Sequence, residues 1–150
     1  MHSKHYIHLL IMTVLMFVAM FILMYAMVDT FANVYPNANQ FYMAGLMTAA
    51  MVIIELAIMR SMYKNKTANI AILVVSVVSL AGFFAMIRQQ TLVGDSQFLK
   101  SMIPHHAGAI LMCEKAPIQD AEVKKLCATI IASQGKEVAQ MKAKLTALDK

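Results

Sequence analysis

The feature that most constrains this chain is an uncharged run of 22 residues from Ile7 to Val28. A helix rises ~1.5 Å per residue, so this run is long enough to cross a hydrocarbon core of about 30 Å. A cleaved signal peptide would have a shorter apolar run followed by a small-x-small cleavage site, and the sequence shows neither. The run therefore predicts an uncleaved transmembrane helix.

Two further apolar runs predict spans at about residues 41–59 and 69–87, beside the first at 7–28. Hydrophobic residues make up 60% of the chain and charged residues 14%, against about 25% charged in an average soluble domain. Most of the charge lies after residue 88. We therefore predict a membrane domain at 1–88 and a polar tail at 89–150.

The charges between the spans predict an orientation. The connection at 29–40 has no Lys or Arg, whereas the connection at 60–68 holds Arg60, Lys64 and Lys66. The positive-inside rule therefore places 60–68 and the N-terminus in the cytoplasm. The tail, ending at Lys150, is then outside the cytoplasmic (inner) membrane, in the periplasm if the cell has two membranes. Its Lys residues alternate with Asp and Glu and form no basic stripe with aromatic partners, which argues against nucleic acid.

The tail carries two heptad-like seams that predict two helices. Pro104 should kink the first helix, and residues 117–120 should form the turn. Folding the chain back at about residue 118 predicts an antiparallel hairpin. The first seam comprises Asp95, Phe98, Met102, His105, Ala109, Met112 and Ala116, and the second comprises Val123, Cys127, Ile130, Gln134, Glu137 and Met141.

A hairpin of this size cannot bury much of a core alone. We therefore expect a homodimer or higher homo-oligomer, with two hairpins forming a four-helix bundle. Packing of the hairpin on the outer ends of the spans is the alternative. The dimer would cover apolar residues that flank the seams and would otherwise face water: Leu99, Ile110, Leu126, Ile131 and Leu145.

The strongest local motif is Met102-Ile103-Pro104-His105-His106, followed by Met112. Thioether and imidazole together suit a soft or borderline metal, above all Cu(I). The alternative is that the methionines fill a core and the histidines face an interface. Three states also remain open for Cys113 and Cys127: a disulfide, Cu(I)-binding thiols, or unlinked core cysteines.

The motif resembles the family catalogued as domain of unknown function 305. The resemblance rests on Asp95-x-x-Phe98-x-x-x-Met102-Ile103-Pro104-His105-His106, then Ala109-Ile110-x-Met112, then Gln134-x-x-Glu137-x-x-x-Met141. It implies a ferritin-like helical bundle and an extracytoplasmic copper-binding protein of copper homeostasis or resistance. Longer members carry the motif twice, and this chain carries it once, which favours a dimer. The implied metal ligands are Met102, His105, His106, Met112 and Met141. We add Asp95, Gln134, Glu137, Cys113 and Cys127 as outer partners or possible ligands.

The spans contain methionines at intervals of four residues. One series is His8, Met12, Met16, Met20 and Met24, and the other is Met43, Met47, Met51, Glu55 and Met59. The simpler interpretation is apolar surface, and the alternative is a thioether-lined path for Cu(I). An intramembrane carboxylate such as Glu55 is costly and suggests a function, with His8 or a neighbouring copy as its partner. A further possible metal site is the cytoplasmic series His2, His5 and His8.

These features predict a membrane-anchored copper-binding protein that captures, buffers or relays copper outside the cytoplasmic membrane. One alternative is a structural or interaction membrane module without metal. A remote alternative is a ferritin-like metal-dependent oxidase, which needs Glu-x-x-His pairs that this sequence lacks. The sequence shows no nucleophile triad, phosphate-binding loop or cofactor fingerprint, so we do not expect an enzyme.

Overall fold

A computed structural model describes residues 2–148, with side chains from Lys4 to Leu148. The side chain of His2 and the C-terminal Lys150, both used in the sequence predictions, lie outside these residues. The described part of the chain contains five α-helices and no strand, which confirms the predicted all-α class. The helices are α1 (His2–Leu23), α2 (Ala38–Ile58), α3 (Lys66–Gln89), α4 (Asp95–Lys115) and α5 (Ala121–Leu148), with short 3-10 turns at Met24–Met27 and Phe31–Asn33.

The three predicted spans are confirmed as helices long and apolar enough to cross a membrane. They cover Lys4–Met27, Ala38–Ile58 and Lys66–Gln89, with mean hydropathies of 2.7, 2.0 and 2.7. Asn65 begins α3, because its side chain accepts a hydrogen bond from the backbone N–H of Ala68 at 3.1 Å. The helix ends at Gln90, whose backbone is left-handed, with φ 51°. These features are consistent with a membrane protein.

The chain divides into two compact units. The first contains the residues up to Met24 and Asn39–Thr91, and therefore the three spans. The second contains Tyr25–Ala38 together with the residues from Leu92 onward. The connection between α1 and α2 thus belongs with the tail.

In the second unit, α4 and α5 form the predicted antiparallel hairpin. Asp120 begins α5, because its carboxylate accepts backbone N–H bonds from Glu122 and Val123, each at 2.9 Å. A disulfide joins Cys113 to Cys127, whose Cα atoms are 5.1 Å apart. The bridge centres the turn on residue 120 rather than on residue 118, so the register differs from the predicted one by about half a helical turn on each helix.

The buried stripe of the hairpin is rotated relative to the predicted seams. Ile103 is fully buried and packs with Val138 and Leu145. Phe98 and Met112, which we predicted on the seam, are each 51% exposed. That part of the prediction was wrong. Residues 99, 103, 107 and 110 repeat at the same three- and four-residue spacing as the predicted seam, so periodicity alone does not choose between the two stripes.

The connection between α1 and α2 covers one side of α4 and compensates for Pro104. α4 continues through Pro104, which has no N–H to donate to the carbonyl of Lys100. The amide of Asn37 donates to that carbonyl at 3.3 Å, and its oxygen accepts a bond from the Ser101 hydroxyl at 3.1 Å. Asn37 is only 6% exposed. A side chain from a distant segment therefore satisfies the acceptor that proline leaves free.

This packing changes the argument for a second copy. Of the five flanking residues that we expected to face water, Ile110 and Leu145 are buried, and Leu99 packs on the core. Tyr35, from the α1–α2 connection, packs on the same cluster. Only Leu126, at 57%, is largely exposed. The chain thus covers much of its own hairpin.

Candidate metal centre

The contact between His106 and Glu137 is the centre of the candidate site. His106 Nδ1 lies 3.5 Å from Glu137 Oε2, an ion-pair distance longer than a good hydrogen bond. The imidazole is mostly covered, with 15% of its side chain exposed, whereas Glu137 is 47% exposed. The Ser133 hydroxyl donates to the other carboxylate oxygen at 2.8 Å and so fixes its orientation. A carboxylate beside Nδ1 leaves Nε2 available to bind a metal ion.

The hairpin register places Met102 and Met141 next to this pair. Met102 lies one turn before His106 on α4, and Met141 lies one turn after Glu137 on α5. Because the helices are antiparallel, both steps lead in the same direction. The two thioethers therefore stand at one level, about 6 Å along the axis from the histidine. Both are partly buried, and Met141 also packs against the hydrophobic cluster.

Two polar atoms near this pair have no hydrogen-bond partner in the described structure. They are His106 Nδ1 and Gln134 Oε1, and both are buried. Gln134 lies one turn before Glu137 on α5. His106 Nδ1 faces Glu137 Oε2 at 3.5 Å, so a slight approach of the two side chains would satisfy it and leave Nε2 for a metal ion. This Nε2 and the thioethers of Met102 and Met141 form a donor set that fits a soft cation.

Five other predicted site residues lie outside this group. Asp95 is an exposed residue in the first turn of α4, eleven positions and ~16 Å along the axis from His106. Met112 is ten positions from Met102, or ~15 Å along the axis, which is too far for one metal ion to bind both. Cys113 and Cys127 are joined in the disulfide, so they offer no thiolate. His105 is exposed, with its ring centroid 6.1 Å from that of His106.

Comparison with known proteins identifies the family of this hairpin. The family described as "Domain of unknown function (DUF305)" matches residues 85–148. A protein of Acanthamoeba polyphaga mimivirus, named only as uncharacterized, is 30% identical over 115 residues, which are 75% of this chain and 74% of that protein. The chain belongs to the DUF305 family. No solved structure matches it.

The DUF305 match covers the hairpin and every predicted site residue of the tail. The similarity to the viral protein, at 115 residues, is longer than the DUF305 match and therefore includes part of the membrane-helix region. The two proteins thus share more than the hairpin.

The other possible metal donors of the hairpin do not cluster. Among residues with described side chains, no three His, Cys, Asp or Glu residues lie close enough to hold one metal ion together. A di-iron site of the ferritin type needs several carboxylates and histidines from facing helices. The remaining sulfur donors near His106 are thioethers, which are ligands for soft metals.

The methionines of the spans do not line the cavity of the first unit. This cavity has a volume of about 600 Å³, and the described residues around it are aliphatic, aromatic, small or hydroxyl-bearing, with no methionine among them. Met43 and Met47 are 38% and 40% exposed on α2, whereas Ala44, Gly45 and Thr48 form its buried face. Met12, Met16, Met20 and Met51 are intermediate in exposure, and His8 is exposed. The predicted thioether path therefore has no support from this cavity.

Glu55 has a partner that the sequence did not suggest. The Tyr63 hydroxyl donates to the Glu55 carboxylate at 3.1 Å, and the Tyr63 ring packs against Tyr6 with centroids 5.4 Å apart. Burial raises the pKa of Tyr63, and the nearby Glu55 carboxylate raises it further. Glu55 lies one turn from the end of α2, so the pair ties the following connection to the helix end. This contact gives Glu55 a structural role.

Sequence reasoning missed three residues that shape the site: Ser133, Asn37 and Tyr35. The i, i+4 spacing of Ser133 and Glu137 on α5 was a visible signal for their hydrogen bond. Asn37 and Tyr35 gave no such signal, because their contacts with α4 and α5 span more than sixty positions of sequence.

Proposed function

We propose that this DUF305 protein is a membrane-anchored copper-binding protein, which captures, buffers or relays copper outside the cytoplasmic membrane. The observation that carries the proposal is the contact of His106 with Glu137. Met102 precedes His106 by one turn of α4, and Met141 follows Glu137 by one turn of α5, so the two thioethers lie close to this contact. Two thioethers and one imidazole suit Cu(I). Glu137 would orient the imidazole through Nδ1.

The soft donor set favours Cu(I) over other ions. Iron and zinc sites in proteins use carboxylates, imidazoles or thiolates, and the described residues bring no three of these together. The disulfide removes the only two thiols in the chain. Thioethers bind Cu(I) without losing a proton, so a methionine site would hold copper in an oxidising compartment where thiols pair. The extracytoplasmic location follows from the charge asymmetry around the spans.

Anaerobic titration of the full chain in detergent with Cu(I) tests this proposal. Ascorbate is the suitable reductant, because a thiol reagent would open the disulfide and expose two additional ligands. Replacing His105 and His106 together with Ala should weaken Cu(I) binding at least tenfold, or about 1.4 kcal/mol. The matched control replaces Lys124 and Lys125 together with Ala, two adjacent exposed residues of α5 that belong to no candidate site. Unchanged affinity in the double variant would refute the proposal.

Metal analysis of the purified protein separates the remaining functions. Copper supports the proposal. Iron would favour an oxidase, and absence of metal together with failure to bind Cu(I) would favour the structural or interaction module. Glu137→Gln provides a finer test, because it keeps the shape of the side chain and removes its charge. We expect weaker Cu(I) binding with an unchanged circular dichroism spectrum.

A further inference from the structure

The turn that follows α1 brings another methionine against α4. Met27 ends the 3-10 turn Met24–Met27 and lies beside Gly108 on α4. A Cβ atom added to Gly108 would lie 3.4 Å from the Met27 carbonyl oxygen and 3.9 Å from the Met27 Cβ. Gly108 is buried, so the absence of a side chain permits this approach. Both residues belong to the second unit, in which the α1–α2 connection packs on α4.

Two other soft donors flank Gly108 on the same face of α4. Met112 lies one turn after Gly108, and a helical side chain covers the turn N-terminal to its own Cα, so Met112 reaches back over Gly108. His105 lies three positions before Gly108 and shares its face. Met27 is 54% exposed and Met112 is 51% exposed, and His105 is also exposed. Two accessible thioethers and one accessible imidazole therefore surround one buried glycine.

We infer that Met27, His105 and Met112 form a second Cu(I) site, which is distinct from the site of His106 and rests on the proposed function. Successive residues of a helix point ~100° apart, so His105 and His106 face different neighbours. His106 faces α5 and Glu137, whereas His105 is exposed and lies three positions from Gly108, which approaches Met27. With two separate sites, Met112 can bind copper in the second site, although it is too far along α4 from Met102 to share the first.

The two sites differ in their access to solvent. The donors of the first site are partly buried between α4 and α5, and His106 exposes only 15% of its side chain. The second site has one donor on a connection and two on an exposed helix face. An open site of three soft donors accepts and releases Cu(I) readily, which suits transfer between the protein and a soluble carrier of copper.

Stoichiometry of Cu(I) binding by the full chain in detergent tests the second site. The wild type should bind two equivalents. Met27→Leu and Met112→Leu, which keep the apolar volume and remove sulfur, should each bind one, with the other weakened at least tenfold. Met141→Leu should instead weaken the first site. The control Met62→Leu, at a methionine of the connection between α2 and α3, should keep two equivalents.

The outcomes separate this inference from the proposed function. One equivalent in the wild type, or two tight equivalents in Met27→Leu, would overturn the second site while leaving the copper function in place. No binding by the wild type would overturn both. X-ray absorption of the singly loaded Met141→Leu variant gives an independent readout, because the retained second site should show two sulfur neighbours and one nitrogen neighbour. A spectrum without sulfur neighbours would also overturn the second site.

Discussion

The bond between Asn37 and the Lys100 carbonyl provides a sharp test of how the α1–α2 connection supports α4. Replacing Asn37 with Ala removes the amide that donates to that carbonyl and one of two acceptors of the Ser101 hydroxyl, which also donates to the Gln97 carbonyl. An unsatisfied buried polar group costs about 1–3 kcal/mol. We therefore expect hydrogen exchange of the α4 and α5 amides to accelerate roughly 5- to 140-fold if local opening controls it.

The same substitution in a Pro104→Ala background gives the decisive comparison. Alanine at 104 restores an N–H that can donate to the Lys100 carbonyl within the helix. The cost of losing Asn37 should then fall by about 1 kcal/mol, which is a coupling measurable by a double-mutant cycle. The control Asn39→Ala removes an amide that bonds Gln90 in the first unit, and it should leave exchange in the hairpin unchanged. An equal cost of Asn37→Ala in both backgrounds would refute this account of Pro104.

Four further predictions concern the disulfide, the membrane topology, self-association and the Tyr63 contact. Replacing Cys113 and Cys127 with Ser should lower the free energy of unfolding of the hairpin by about 3 kcal/mol, because the disulfide closes a loop with a sequence separation of 14. Urea denaturation measures this change, and an unchanged midpoint would contradict it. A single cysteine in place of the exposed Lys64 should resist impermeant reagents in intact cells, whereas one at the C-terminus should react. The exposed side chain of Phe98 on the hairpin should contribute to a homodimer interface in detergent. Phe98→Ser should therefore reduce the dimer fraction measured by mass photometry, and a strictly monomeric wild type would exclude the dimer. The Tyr63 phenol should ionise above its usual pKa of 10.0. The stability that this raised pKa contributes is present below pH 10.0 and is lost as the pH rises through the raised pKa. The difference in absorbance between the wild type and Tyr63→Phe during a pH titration checks this.

The sequence was sufficient to predict the helices, because length and uninterrupted apolar character determine membrane spans almost alone. The observed α2 and α3 differ from the predicted spans by no more than three residues at either end. The hairpin was also predictable, since two helical patterns joined by a short turn with Pro117 and Asp120 leave few arrangements. The rotation of its helices about their own axes was not predictable. Ile103 and Met102 are neighbours that both fit a helical stripe, and only packing of α5 and Tyr35 selects Ile103 for the interior.

The site was predicted as one group of residues, and the structure divides it. His106 meets Glu137; a turn centred on residue 120 places Gln134 opposite His106, and Glu137 lies one helical turn further along α5. Met112 shares a helical face with His105, which favours it as a ligand in the same site. Its distance from Met102 along the axis of α4 separates the two methionines. Met27 had no signal in the sequence, since it lies at the end of a span and more than seventy residues before the hairpin motif. Contacts of this range depend on how the α1–α2 connection folds onto α4.

The methionines of this chain occupy two environments that composition cannot distinguish. In the spans, an unbranched thioether is apolar surface among lipid and neighbouring helices, and the exposed Met43 and Met47 serve that role without lining the internal cavity. In the hairpin, Met102 and Met141 stand beside an imidazole held near a carboxylate. A methionine becomes a credible copper ligand when a second donor of different chemistry is fixed within one helical turn of it. Among the described contacts, an imidazole beside a carboxylate occurs at His106 in the hairpin, which favours the hairpin over the spans although most of the methionines lie in the membrane-helix region.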